Sequence, residues 1–208
     1  MPQDHSLIQE IFRKLIHLNT LYIILLYEFL GKKFTLFILV CLLIIALEIE
    51  YFRIEHGKRI PILHKLFRAK EKTTFGGHIF LCISAIIVIS VFSKEVAMLA
   101  ILMATFGDAA AAVFGKAYGK HFIPHLKNKA IEGVLAEFVV NIIIGYAYLF
   151  IFAQDLTQTM NIVLISMATI ATITETTCGK LDDNLMIPIF AGITGEIMLF
   201  LIPFLYLI

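Results

Sequence analysis

Charge is scarce in this sequence. Asp, Glu, Lys and Arg make up 16% of the 208 residues, against 60% hydrophobic, and mean hydropathy is +0.90. A soluble domain carries ~25% charged and ~45–50% apolar residues, and it needs polar surface to cover its core, so a soluble globule is excluded. Disorder is excluded as well, since disordered chains are poor in apolar residues. Net charge is equally small: 17 Lys+Arg against 16 Asp+Glu leave +1, which gives nucleic acid or an acidic partner nothing to hold. Cysteine is rare too. Cys41, Cys82 and Cys178 stand singly in apolar stretches, with no CxxC pair and no disulfide framework, and read as buried small hydrophobes. A cleavable leader is not expected either. Polar Gln3, Asp4 and His5 come first, and no small-residue cleavage site follows the first apolar run.

What the chain has is long apolar runs. At ~20 residues per helical span, the pattern predicts a single all-α membrane domain over 1–208 with about seven transmembrane helices. They fall at roughly 15–31, 34–50, 77–93, 95–114, 131–153, 160–178 and 185–207. Only the turn Gly31-Lys32-Lys33 parts the first two. With the N-terminus in the cytoplasm, fourteen of the seventeen Lys and Arg lie inside and only Lys32, Lys33 and Lys94 outside. This predicts an N-in, C-out, multi-pass protein. Between 57 and 72, Pro61 suits a helix start, and Ile60, Leu63, Leu66 and Phe67 fall at helical spacing opposite Lys and Arg. That reads as a helix lying in the cytoplasmic interface.

Polar residues inside such spans are costly and mark candidate sites. Asp108 lies a turn or two inside the cytoplasmic end of span four, where Gly107, Ala111, Gly115 and Gly119 recur every four residues. Small residues on one stripe allow close backbone approach. The following loop carries Lys116, Lys120, Lys127 and Lys129, point charges suited to phosphate, and glycines that let a ligand come close. Glu132 opens span five, where the helix dipole also favours an acid. Glu137 and Asn141 lie deeper, one turn apart. Span six has a polar stripe of Ser166, Thr169, Thr172 and Thr176 and ends near Glu175, although such hydroxyls also bond their own helix. Asp182, Asp183 and Asn184 follow, hard oxygen donors of the kind Mg²⁺ prefers. Arg13, Lys14 and His17 sit at the mouth of span one, with Arg13 and His17 on one face.

The predicted topology puts Asp108, Lys129, Glu132, Glu175, Asp182, Asp183, Arg13, Lys14 and His17 at one membrane boundary, the cytoplasmic one. Carboxylates to hold a divalent cation, with Lys and Arg to stabilise a charged transition state, are what phosphoryl transfer needs. No GxxxxGK[ST] loop and no kinase Gly-rich loop occurs.

Four elements then resemble the polyprenol kinase family, which comprises dolichol kinases, phytol kinases and CTP-dependent diacylglycerol kinases, with phosphatidate cytidylyltransferases as more distant relatives. They are Arg13-Lys14-x-x-His17; Gly107-Asp108-Ala109-Ala110-Ala111 with Gly115-Lys116-x-x-Gly119-Lys120; Lys129-Ala130-Ile131-Glu132-Gly133; and Glu175 with Asp182-Asp183-Asn184-Leu185-x-Ile187-Pro188. The resemblance implies a membrane enzyme that moves the γ-phosphate of CTP to a lipid hydroxyl, of an isoprenoid alcohol or diacylglycerol, with Mg²⁺ or another divalent cation. Carried over, Asp108, Asp182 and Asp183 hold metal. Gly107, Gly115, Lys116, Gly119, Lys120, Lys127, Lys129 and Asn184 bind nucleotide. Asp108, Arg13, Lys14, His17, Glu132 and Glu175 serve catalysis. Where relatives often carry Ser or Thr before Glu-Gly, this chain has Ala130 and Ile131. The chain looks like a minimal prokaryotic-type core, expected in the inner membrane with its site facing the cytoplasm. Two alternatives stand beside this reading. One is a phosphatidate cytidylyltransferase making CDP-lipid. The other is a small transporter using Glu137 and Glu196.

Overall fold

A computed structural model describes residues 20–55, 75–124, 126, 129–178 and 181–205, with side chains through 202. Arg13, Lys14, His17, Lys127 and the 57–72 segment lie outside the described residues. Among the described residues every element is helical, apart from one isolated antiparallel bridge between Phe122 and Ala130. In hydrocarbon a helix satisfies its own backbone polar groups, which is why apolar runs adopt it. The helices are α1 (Leu21–Glu55), α2 (Gly77–Val91), α3 (Lys94–Leu102), α4 (Asp108–Tyr118), α5 (Ile131–Tyr148), α6 (Gln158–Thr177) and α7 (Asp183–Leu205). π-helical turns at Met103–Gly107 and Leu149–Ala153 join α3 to α4 and extend α5. Five of the resulting helices are long and apolar enough to cross a membrane. The fold is all-α and polytopic, as the sequence predicts.

The 35-residue α1 is not one rod. Gly31 has φ 76° and ψ 173°, a left-handed φ that suits a residue without Cβ. Thr20 Oγ1 lies 2.9 Å from Thr105 Oγ1, Glu28 meets Lys94, Lys32 Nζ donates to the Ser90 carbonyl, and Glu50 faces His78. Residues 20 and 50 therefore sit at one end of the bundle and 28 and 32 at the other, so the chain reverses at Gly31. The expected Gly31-Lys32-Lys33 turn narrows to a single residue, and its second arm runs on to Glu55.

The core helix is the α3–α4 run. Val96 through Ala104 are all buried, whereas α1 turns Phe34, Phe37, Ile44 and Ile45 outward. Glycines set the contacts around it. A Cβ on Gly107 would meet Asn141, one on Gly133 would meet the Ala111 carbonyl and Gly115, and one on Gly145 would meet Leu164. These pairs make α5 antiparallel to the core helix and α6 antiparallel to α5. A Cβ on Gly192 would strike Phe92, and Ser84 bonds Asn184, so α2 and α7 run parallel. Val96 packs against Gly195. Twelve residues separate Val96 from Asp108, and twelve separate Gly195 from Asp183. At ~1.5 Å rise per residue both carboxylates lie about 18 Å from that contact, in the same direction. Asp108 and Asp183 therefore reach the same end, here called the site end.

Candidate active site at one end of the helix bundle

Asp108 is 5% exposed and is the first residue after the π-turn. A π-turn shifts the hydrogen-bond register, and such turns are frequent at functional sites. Opposite it, Asn141 is fully buried and its carboxamide lies flat on Gly107. A Cβ there would come within 2.3 Å of Oδ1 and 2.9 Å of Nδ2. Neither amide atom of Asn141 has a hydrogen-bond partner. Glu137, one turn away on the same buried stripe, is fully buried as well.

Lys129 and Glu175 come together. The Lys129 ammonium donates to the Glu175 carbonyl at 3.0 Å and pairs with its Oε1. The other oxygen, Oε2, is buried without a partner, as is the Thr172 hydroxyl. Two more of the predicted Ser/Thr stripe bond their own helix: Thr169 Oγ1 donates to the Ile165 carbonyl and Thr176 Oγ1 to that of Thr172.

Asp182, Asp183 and Asn184 form a closed corner at the start of α7. The Asn184 backbone N–H donates to Asp182 Oδ1 (3.1 Å) and Asp183 Oδ1 (3.0 Å), and its Nδ2 reaches the same two oxygens at 2.8 and 3.2 Å. Asp182 thereby caps the helix, as Asp does, and Asp183 stands in the first turn, where the dipole favours an acid. Asn184 Oδ1 is buried and unpartnered.

Three expectations change. Among the described residues no three His, Cys, Asp or Glu side chains are gathered closely enough to hold a metal, so Asp108 does not join Asp182 and Asp183 in a ready ligand set. It stands on a different helix, set by the π-turn. Gly115 and Gly119 lie close to protein: Gly115 faces the Gly133 backbone, and a Cβ on Gly119 would meet the Gly115 carbonyl at 2.3 Å and Ala130 at 2.8 Å. Glu132 is engaged as a clasp. His121 Nδ1 lies 2.7 Å from its Oε1, and the His121 backbone N–H reaches both oxygens. It pins the loop whose Ile131 N–H also bonds the His121 carbonyl. Lys116 and Lys120 are exposed on the same side.

Two contributions escape the sequence reading. Ser84, fully buried, donates to the Asn184 carbonyl. Glu50, 2% exposed, holds Arg53 and faces His78 at the entry to α2. An acid in an apolar run signals Glu50, but a serine in the apolar α2 signals nothing.

With this geometry in view, three curated proteins share sequence with the chain. It is 30% identical over 139 residues to the CTP-dependent diacylglycerol kinase 1 of Schizosaccharomyces pombe, covering 63% of this chain and 64% of that protein. It is 38% identical over 79 residues to the protein of the same name from Eremothecium gossypii, 38% of this chain and 25% of that one. Against that of Saccharomyces cerevisiae it is 32% identical over 84 residues, 40% and 29%. No family model matches the chain, and no solved structure does. The chain spans less than two thirds of these relatives' length, and all three are eukaryotic, which lends no support to a prokaryotic origin. The chain is therefore similar, over most of its own length, to a eukaryotic lipid kinase that is named for CTP.

Proposed function

We propose that the chain is the membrane-embedded core of a CTP-dependent lipid kinase. It moves the γ-phosphate to the hydroxyl of diacylglycerol or a similar lipid alcohol, such as an isoprenoid alcohol. One observation carries the reading: Asp108, the Lys129–Glu175 pair and the corner of Asp182, Asp183 and Asn184 gather at one end of an apolar bundle, in a chain similar to proteins named for this activity. The acceptor oxygen bonds to the γ-phosphorus and gives its proton to a carboxylate of the site, the bond to the β,γ-bridging oxygen breaks, and CDP leaves. The relatives' name favours diacylglycerol over isoprenoid alcohols, and CTP over ATP.

Within this reading, Lys129 meets nucleotide phosphate as a point charge, with Lys116 and Lys120 at the rim. Lys127, Arg13, Lys14 and His17 belong to the same proposal through sequence alone. The acidic corner fits a Mg²⁺ ion: Asp182 and Asp183 are hard oxygen donors, and Asn184 Oδ1 is a buried acceptor awaiting a partner. Bound there, the ion supplies charge neutralisation on the phosphate oxygens. The Lys and Arg distribution supports seven spans, N-in, with this end in the cytoplasm.

The test is purified protein with γ-labelled CTP, Mg²⁺ and a panel of diacylglycerol, isoprenoid alcohols and phosphatidate. Labelled lipid phosphate plus CDP is expected. Pyrophosphate and a CDP-lipid would replace the kinase reading with a cytidylyltransferase.

A further inference from the structure

In an unbroken helix the Asn184 carbonyl accepts the N–H of residue 188. That residue is Pro188, which has no N–H. A buried main-chain carbonyl left unbonded is destabilising, more so where no water reaches it. Ser84, a hundred residues earlier, supplies the missing donor. Its Oγ lies 2.8 Å from the Asn184 carbonyl and 2.9 Å from that of Leu81 in its own helix. Ser84 is fully buried and Asn184 is 7% exposed. From Asn184 the connection continues: its N–H and Nδ2 hold the Oδ1 atoms of both Asp182 and Asp183. A serine on α2 is thus tied through one residue to two carboxylates on α7.

We propose that Ser84 is a positioning residue for the corner of Asp182, Asp183 and Asn184, supplying from α2 a donor that Pro188 cannot give the Asn184 carbonyl. A residue with an N–H at 188 would let α7 satisfy that carbonyl itself, but it would not hold the corner to α2. The proline moves that bond from within the helix to between helices. Its value rests on the functional reading above, in which the corner serves phosphoryl transfer.

Three variants and three measurements test this. Ser84→Ala leaves the carbonyl unbonded, so melting temperature in detergent falls and turnover drops about 10–100-fold, the usual effect of losing a supporting partner. Pro188→Ala restores an N–H, and the carbonyl has two lone pairs, so turnover stays near wild type. In Ser84→Ala/Pro188→Ala the new N–H satisfies the carbonyl within α7. Melting temperature recovers and turnover does not, because the tie to α2 is still missing. Cys178, four residues before Asp182, reports position without any reaction. Its alkylation, mapped by mass spectrometry, is expected to quicken in Ser84→Ala and in the double variant alike. Recovery of turnover together with stability in the double variant would reduce Ser84 to satisfying a carbonyl, and would overturn the proposal. So would wild-type turnover in Ser84→Ala, or equal Cys178 rates in wild type and Ser84→Ala. Wild-type protein inactive with every donor and acceptor would instead remove the functional reading, leaving the Cys178 rates to decide the positioning role.

Discussion

The two ends of the bundle treat buried polar groups differently. At the end holding the Gly31 reversal, donors and acceptors are matched. Glu28 accepts from Lys94 at 2.5 Å and from the Tyr148 hydroxyl at 2.9 Å, Lys94 lies over the Tyr27 ring, Lys32 bonds the Ser90 carbonyl, and Glu196 accepts the Ser93 N–H at the start of α3. Among the described residues there, Ser93 Oγ and Asn161 Oδ1 are buried without partners. At the site end, both amide atoms of Asn141, one oxygen each of Glu175 and Asn184, and the Thr172 hydroxyl are buried without partners. Each such group costs about 1–3 kcal/mol, so a bundle shaped only for stability would replace them. The matched end fastens helices together. The unmatched end accepts a loss of stability, as functional sites do.

This contrast predicts a division of effects. Substitutions at the site end lower turnover and spare the fold; those at the far end do the reverse. The largest effect is expected from Asp108→Asn, which keeps the size of a buried side chain and removes its charge. Turnover should fall on the order of 10³-fold, the scale of losing a central electrostatic group, with melting temperature held. Wild-type turnover there would break the comparison outright. Gly107→Ala drives a methyl into the Asn141 amide, displacing the π-turn beside Asp108. A shift of about 1 Å at a site costs ~10²-fold, and here stability should fall too. Lys129→Met should raise the nucleotide KM about tenfold, matching one charged hydrogen bond of roughly 1.5 kcal/mol, with kcat less affected. At the far end, Glu28→Gln weakens the contact to Lys94 and should cost about 1 kcal/mol, since Lys94 is partly solvated, with turnover per folded molecule unchanged. Smallest is Glu196→Gln. Glutamine still accepts the Ser93 N–H, so neither readout should move. A transport pathway through Glu196 would predict otherwise, and flux in proteoliposomes would show it.

The spans were legible in the sequence because a bilayer enforces long apolar runs, and Gly31 between apolar arms announced a reversal. The lysines and acids of the site were legible because charge in such a chain is conspicuous. Hydrogen-bond register was not: hydropathy reads the same through an α- or a π-turn, so the turn before Asp108 left no trace. The glycine stripe was visible, but spacing does not say what approaches it, and for Gly115 and Gly119 the visitor is protein backbone. Ser84 was invisible because a serine in an apolar helix ordinarily bonds its own preceding turn. Pro188 was noticed as part of a motif, yet its effect on the carbonyl of Asn184 emerges only once α2 is seen alongside.

That bond also has a bearing on time. Ser84 is made long before Asn184, and three crossing helices are threaded between them. Contacts so distant along a chain close late, because the intervening loop must be ordered first. As the ribosome delivers the helices in order, the acidic corner can be seated only after α7 has entered the membrane. A chain grown only as far as α6 would carry Asp108 and Lys129 without the corner that Ser84 holds, and that corner would form only once α7 is in place.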